Sequence, residues 1–134
     1  MEGPYYILIA VVASVVLSHI FKEAFHVWKE RRWSWYVLFW KTGGMPSSHA
    51  SGVSSLCSAV YLSEGMSTAF IVSLVLAGVV IRDAFGVRRS VSDQAKVLNV
   101  LLSREHIDKK VRVVLGHTPL QTVVGTILGI TVAV

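Results

Sequence analysis

Long uncharged apolar runs alternate along this chain with short clusters of charge. The first run, Tyr5 to Phe21, holds seventeen residues without a formal charge. At ~1.5 Å rise per residue it covers about 25 Å, enough to cross a bilayer with interfacial help. It leads into Lys22, Glu23, Lys29, Glu30, Arg31 and Arg32, read as a mixed, basic loop over 22–32. His19, Lys22 and His26 recur at helical spacing around the end of the run. Ala50 to Leu62 is uncharged and rich in Ser, Gly and Ala, which suits close helix packing within lipid. Ser63-Glu64-Gly65-Met66 reads as a tight turn, and Ser67 to Ile81 as a third apolar helix. From Arg82 to Arg112 the chain turns polar. Val91, Ala95, Leu98, Leu102 and Ile107 leave a partial apolar stripe there, predicting an interfacial helix over part of it. Pro119 to Val134 is the last apolar segment, with Thr118 as its N-cap and Pro119 at the first helical position.

The pattern predicts an all-α fold: an integral membrane helical bundle of about four transmembrane helices plus an interfacial cytoplasmic helix. The length of 134 residues leaves room for a single membrane-embedded domain, 1–134. Composition strengthens the membrane reading. Charged residues make up 16% of the chain, where a soluble domain carries about a quarter. Trp28, Trp33, Trp35, Tyr36 and Trp40 crowd one stretch, as expected at headgroup level. Met1-Glu2-Gly3-Pro4 lacks the basic region of a cleavable signal, so the first run is expected to stay as an anchor.

Charge then sets orientation. The segments 22–32 and 82–112 hold nearly all the basic residues, while the turn at 63–66 carries only Glu64. The positive-inside bias puts both basic segments in the cytoplasm. Four spans then alternate consistently. The end of the first, the start of the second, the end of the third and the start of the fourth share one face. Those junctions carry Lys22, His49, Arg82-Asp83 and His117. The net charge of +5 flanks apolar segments and forms no continuous soluble face, so it points to anionic headgroups and phosphorylated lipids, not nucleic acid.

Three stretches carry candidate chemistry. In Gly43-Gly44-Met45-Pro46-Ser47-Ser48-His49, the glycines let backbone amides approach an anion, and Pro46 and Ser47 suit a helix start whose amides favour negative charge. Lys41 lies just upstream. A phosphoester requires such parts: donors for its oxygens, a cation, and a proton donor for the leaving alkoxide. Without His49 the same residues would suit a capped turn. His117, in Leu115-Gly116-His117-Thr118-Pro119, precedes a helix N-terminus, where an imidazole can attack phosphorus; an interfacial or capping role is the plainer reading. In Arg82-Asp83-Ala84-Phe85-Gly86-Val87-Arg88-Arg89, the guanidinium fork matches phosphate oxygens, although arginines after a span often only fix topology. Asp83 is costly near lipid unless paired, and is expected to orient an arginine or a histidine. His19, His26 and His106 form no cluster with metal-ligand spacing, so no metal is expected. Cys57 sits in an apolar run and reads as a small buried hydrophobe.

Lys41 to His49, Asp83 to Arg89, Gln94-Ala95 with Leu98-Asn99, and Leu115 to Pro119 together resemble the divergent branch of the type-2 phosphatidic acid phosphatase superfamily. That superfamily also includes the vanadium-dependent haloperoxidases. The likeness runs from about Lys22 to Gly129. It implies a metal-independent phosphatase without a cofactor, acting on a phosphorylated lipid or isoprenoid. His117 would be the nucleophile and His49 the general acid. Lys22 or Lys41, with Arg88 and Arg89, would bind phosphate, and Ser47, Ser48 and the Gly43-Gly44 amides would complete the cradle. The chain departs from the pattern at Gln121, where an acidic residue usually holds the nucleophilic imidazole. Three readings follow: lowered activity, Asp83 as the acidic partner, or phosphate binding without turnover. Arg112 is one position off the spacing of the family's third-motif arginine and takes no role. Membrane lipids are the expected surroundings, and an oligomer is compatible with all of this.

Overall fold

The computed structural model describes residues 3–31, 33, 44–113 and 116–134. Lys41 and Gly43, two of the expected phosphate ligands, lie outside the described residues. Helix α1 spans Pro4–Glu30, α2 spans Ser48–Glu64 and α3 spans Thr68–Arg82. A π-helical turn at Asp83–Val87 follows, then α4 at Arg88–Arg104 and α5 at Pro119–Ala133. The described elements are all helical.

The stretch expected as a basic loop over 22–32 is helical through Glu30. Lys22 to Glu30 contains neither glycine nor proline, and Lys, Glu and Ala are good helix formers, so nothing local stops the helix. Arg31 ends it in the left-handed region (φ 56°), with its N–H on the Val27 carbonyl. The predicted turn is present: Gly65 (φ 66°) caps α2 and Ser67 caps α3 through Phe70 N–H. The stretch expected to hold an interfacial helix is helical, but it follows α3 without a break. The π turn carries α3 directly into α4, giving one helical run over Thr68–Arg104.

What the bundle buries is small and partly polar. Ala10, Ala59 and Ala133 form its apolar core, beside buried Ser14, Ser18, Ser51, Ser54 and Ser55. The large apolar side chains face out: Leu8, Ile9, Val12, Val16 and Ile20 on α1 are 49–60% exposed. In water that arrangement would leave a broad apolar surface uncovered. In lipid it is the expected one, because helices there associate through small residues and interhelical hydrogen bonds. α1 and the Thr68–Arg104 run are long and apolar enough to cross a membrane. The chain is a membrane helical bundle.

The contacts fix helix direction. Ser51 Oγ donates to the Ser14 carbonyl at 3.2 Å, tying α2 to α1. Ser54 Oγ donates to the Thr126 carbonyl at 3.1 Å, tying α2 to α5. Gly125 packs against the Ser47 backbone and Gly129 against Ser51, so α2 and α5 run parallel. A Cβ on either glycine would collide with a backbone carbonyl. α1 runs the opposite way: Tyr6 hydroxyl meets the Ala133 carbonyl at one end, and Lys22 lies against Gly44 at the other. α3 turns back along α2. The end of α1, the starts of α2 and α5 and the end of α3 therefore gather at one end of the bundle. α4 leaves that gathering and keeps Val91, Leu98 and Leu101 about half exposed. Asn99 pairs with the backbone of Val111 in both directions, at 2.9 and 2.7 Å, which folds the following loop back along α4.

Candidate active site at the gathered helix ends

Two helix N-termini adjoin here. Ser47 caps α2 by accepting from Ala50 N–H, and its own N–H donates to the Gln121 carbonyl at 3.1 Å. Thr118 caps α5 in a capping box with Gln121. The partial positive ends of both helices thus face the same volume, a favourable place for an anion.

His49 and His117 face each other across it. Their ring centroids are 6.3 Å apart, edge to face. His49 sits on the exposed side of the α2 start, while His117 is 3% exposed. The backbone explains how His117 is placed. Its N–H donates to the Ala84 carbonyl at 3.0 Å, within the π turn. Preceding it, Gly116 presses on Arg88 and Arg89, where a Cβ would come within 2.7 Å of Arg89 Cα. Glycine is required there for the approach itself.

The ring of His117 is held by Gln121. Its Nδ1 lies 3.3 Å from Gln121 Oε1, and Thr118 N–H also donates to that oxygen, at 3.0 Å. A backbone N–H can only donate, so the atom it meets is the carbonyl oxygen of the amide. That oxygen in turn requires a donor at Nδ1. Nδ1 therefore carries the proton shared with Gln121. Burial lowers the pKa of His117, and the Lys22 charge lowers it further. The Gln121 hydrogen bond and the Gly44 backbone oppose that shift more weakly. His117 is therefore a neutral imidazole near pH 7.

The cations surround this pair. Lys22 is 4% exposed, lies against Gly44 and acts electrostatically on both histidines. Arg88 also acts on His49, as does Asp83 with opposite sign. Arg88 Nε bonds Asp83 Oδ2 at 2.9 Å across the π turn, so the carboxylate of Asp83 is spent on an arginine, one of the two partners expected for it. Gln121, not Asp83, contacts the His117 ring. Arg89 is exposed and contributes its backbone to the Gly116 contact. Ser48 opens α2 beside His49, and Ser47 is fully buried as the cap.

Two features of the site carry little signal in the sequence. Glu23, 1% exposed, lies buried next to Lys22; its adjacency to a helical His19–Lys22–His26 face was the available signal. The Ala84 carbonyl has no signature, because only the π turn directs it to His117. Gln121 stands where the family pattern has a carboxylate, and Thr118-x-x-Gln121 also spells a capping box.

The architecture agrees with what the chain is similar to. The family described as the divergent PAP2 family matches residues 5–132. A relative from Bacillus subtilis (strain 168), the "Uncharacterized membrane protein YuiD", is 31% identical over 140 residues, covering 92% of this chain and 88% of the relative. No solved structure matches. The family match extends over every helix that helps to bring His117 to His49, and the chain belongs to the divergent PAP2 family.

Proposed function

We propose that this protein is a metal-independent membrane phosphatase, hydrolysing a lipid or isoprenoid phosphomonoester through a phosphohistidine intermediate at the cytoplasmic face. The observation that carries the reading is the pair of imidazoles 6.3 Å apart, one of them buried and held through Nδ1 by Gln121. A phosphorus about 3 Å from one nitrogen, with its leaving oxygen within about 3 Å of the other, fits a gap of that size.

In this mechanism His117 Nε2 attacks phosphorus and the bond from phosphorus to the ester oxygen breaks. The departing alkoxide takes a proton from His49. Water then attacks the phosphohistidine with His49 as base, releasing inorganic phosphate and restoring both rings. Lys22, Arg88 and the amides at the start of α2 neutralise charge on the equatorial oxygens. Ser48 and Gly44 belong to the same cradle, with Lys41, Gly43 and Arg89 as further ligands. Ser47 acts by capping the helix that presents them. Asp83 fixes the Arg88 fork and moderates the positive field at His49.

The test is phosphate release by the purified protein with EDTA present, comparing wild type with His117→Ala. Loss on substitution supports the assignment; equal release removes His117 as nucleophile. A second reading, a membrane protein that binds phosphorylated headgroups without turning them over, is favoured by one observation. The partner of His117 is a neutral amide, which stabilises an imidazolium less than a carboxylate does. Gln121→Glu separates the two: turnover rises if the site is merely weakened and stays absent if the protein only binds.

A further inference from the structure

Beside the anion site, α1 and α5 part to leave a cavity of about 320 Å³ lined by Phe21, Phe25, Met45, Pro46, Val124 and Leu128. All six side chains are apolar. Phe21 and Phe25 are 51% and 47% exposed, so the cavity opens sideways toward lipid. We propose that this groove seats the hydrocarbon chain of a single-chain lipid monophosphate whose phosphate occupies the His49–His117 site.

Continuity with the site is the first argument. Met45 and Pro46 run directly between Gly44, which lies against Lys22, and Ser47, which caps α2. Phe21 is the chain neighbour of Lys22. Anion-binding groups and groove wall are thus one or two residues apart on both elements, about 4–7 Å along the backbone. Such a junction matches an amphiphile whose hydrocarbon begins close to its phosphate. Among the described residues the lining offers no polar side chain to hold a glycerol or an ester carbonyl. Size is the second argument. The volume lies at the low end of the ~300–1,000 Å³ of small-molecule sites, suiting one chain and not a diacyl pair. The groove gains little from hydrophobicity, because bilayer tails are as apolar as its walls. What it supplies is position: a chain laid between α1 and α5 aims its phosphate at the two rings.

The proposal rests on the phosphate-site reading, yet it is tested by binding and needs no turnover. Full-length protein in nanodiscs is titrated with dodecylphosphonate and with methylphosphonate, neither of which has an ester bond to cleave. Val124→Trp, which fills the groove, is expected to cut the preference for dodecyl over methyl by at least about tenfold, the scale of a methylene-sized misfit in an apolar pocket. Leu128→Trp does the same from the next turn of α5 and serves if Val124→Trp does not fold. Dioleoyl phosphatidic acid is expected to compete less well than dodecylphosphonate. Parallel weakening of both phosphonates, or a wild-type preference for the diacyl lipid, overturns the groove. Failure of the catalytic reading shows elsewhere, as phosphate release that His117→Ala leaves unchanged.

Discussion

Gln121 holds one carbonyl oxygen between the Thr118 amide and His117 Nδ1, and that geometry fixes what a carboxylate would change. In Gln121→Glu the same position carries a negative charge, which raises the pKa of a neighbouring histidine. The active form of His117 is neutral, so protonation would then set in at higher pH. The acid limb of kcat/KM is expected to move upward. Better stabilisation of the developing positive charge is expected to raise kcat by on the order of tenfold, equivalent to about 1.4 kcal/mol of barrier. In the wild type, burial and Lys22 lower the His117 pKa, which puts the acid limb below the ordinary histidine value of 6.5. A pH–rate series on both proteins checks the direction; a limb at or above 6.5 in the wild type would contradict the buried, Lys22-facing ring.

Helix packing depends on two glycines one turn apart, Gly125 and Gly129, which lay the backbone of α5 on Ser47 and Ser51. Gly129→Leu inserts side-chain atoms where the Ser51 carbonyl and the Ser54 hydroxyl already sit, and overpacking of this kind costs about 1–3 kcal/mol or more. The expected outcome is a lower unfolding temperature in detergent, with loss of the α2–α5 contact. Gly116→Ala acts differently. It pushes the His117 segment off the Arg88–Arg89 backbone, so turnover is expected to fall by more than a hundredfold, the scale set by a 1 Å misplacement of a reacting group. Circular dichroism should show an intact helical bundle in that variant. At this scale the sequence was readable where breakers and caps were present. Gly65, Ser67, Thr118 and Pro119 each mark an observed boundary. It misled at 22–30, where charge density suggested a loop although the residues are helix formers. The joining of α3 to α4 was hidden for a similar reason. A π turn has no breaker residue, and the polarity change at Arg82 looked like an end.

Across the whole molecule, convergence of four helix ends was legible because alternation of apolar runs forces odd and even junctions to opposite sides. The same reasoning could not supply the 6.3 Å between rings, which depends on Ser47 meeting Gln121 and Gly116 meeting Arg89. Orientation has its own test. In a Cys57→Ser background, Met66→Cys marks the turn at one end, and Asp108→Cys marks the loop after α4. A membrane-impermeant thiol reagent is expected to label the first in intact cells and the second only after permeabilisation; the reverse pattern would place the site outside. The central claim is that two histidines from distant helices enclose one tetrahedral phosphoryl group and that His117 accepts it. Its most direct measurement is mass spectrometry of protein quenched in alkali during turnover, conditions that preserve phosphohistidine. The phosphoryl adduct should appear on the His117 peptide and vanish in His117→Ala. Phosphate release with an adduct on another residue, or with none while His117→Ala stays active, would contradict it.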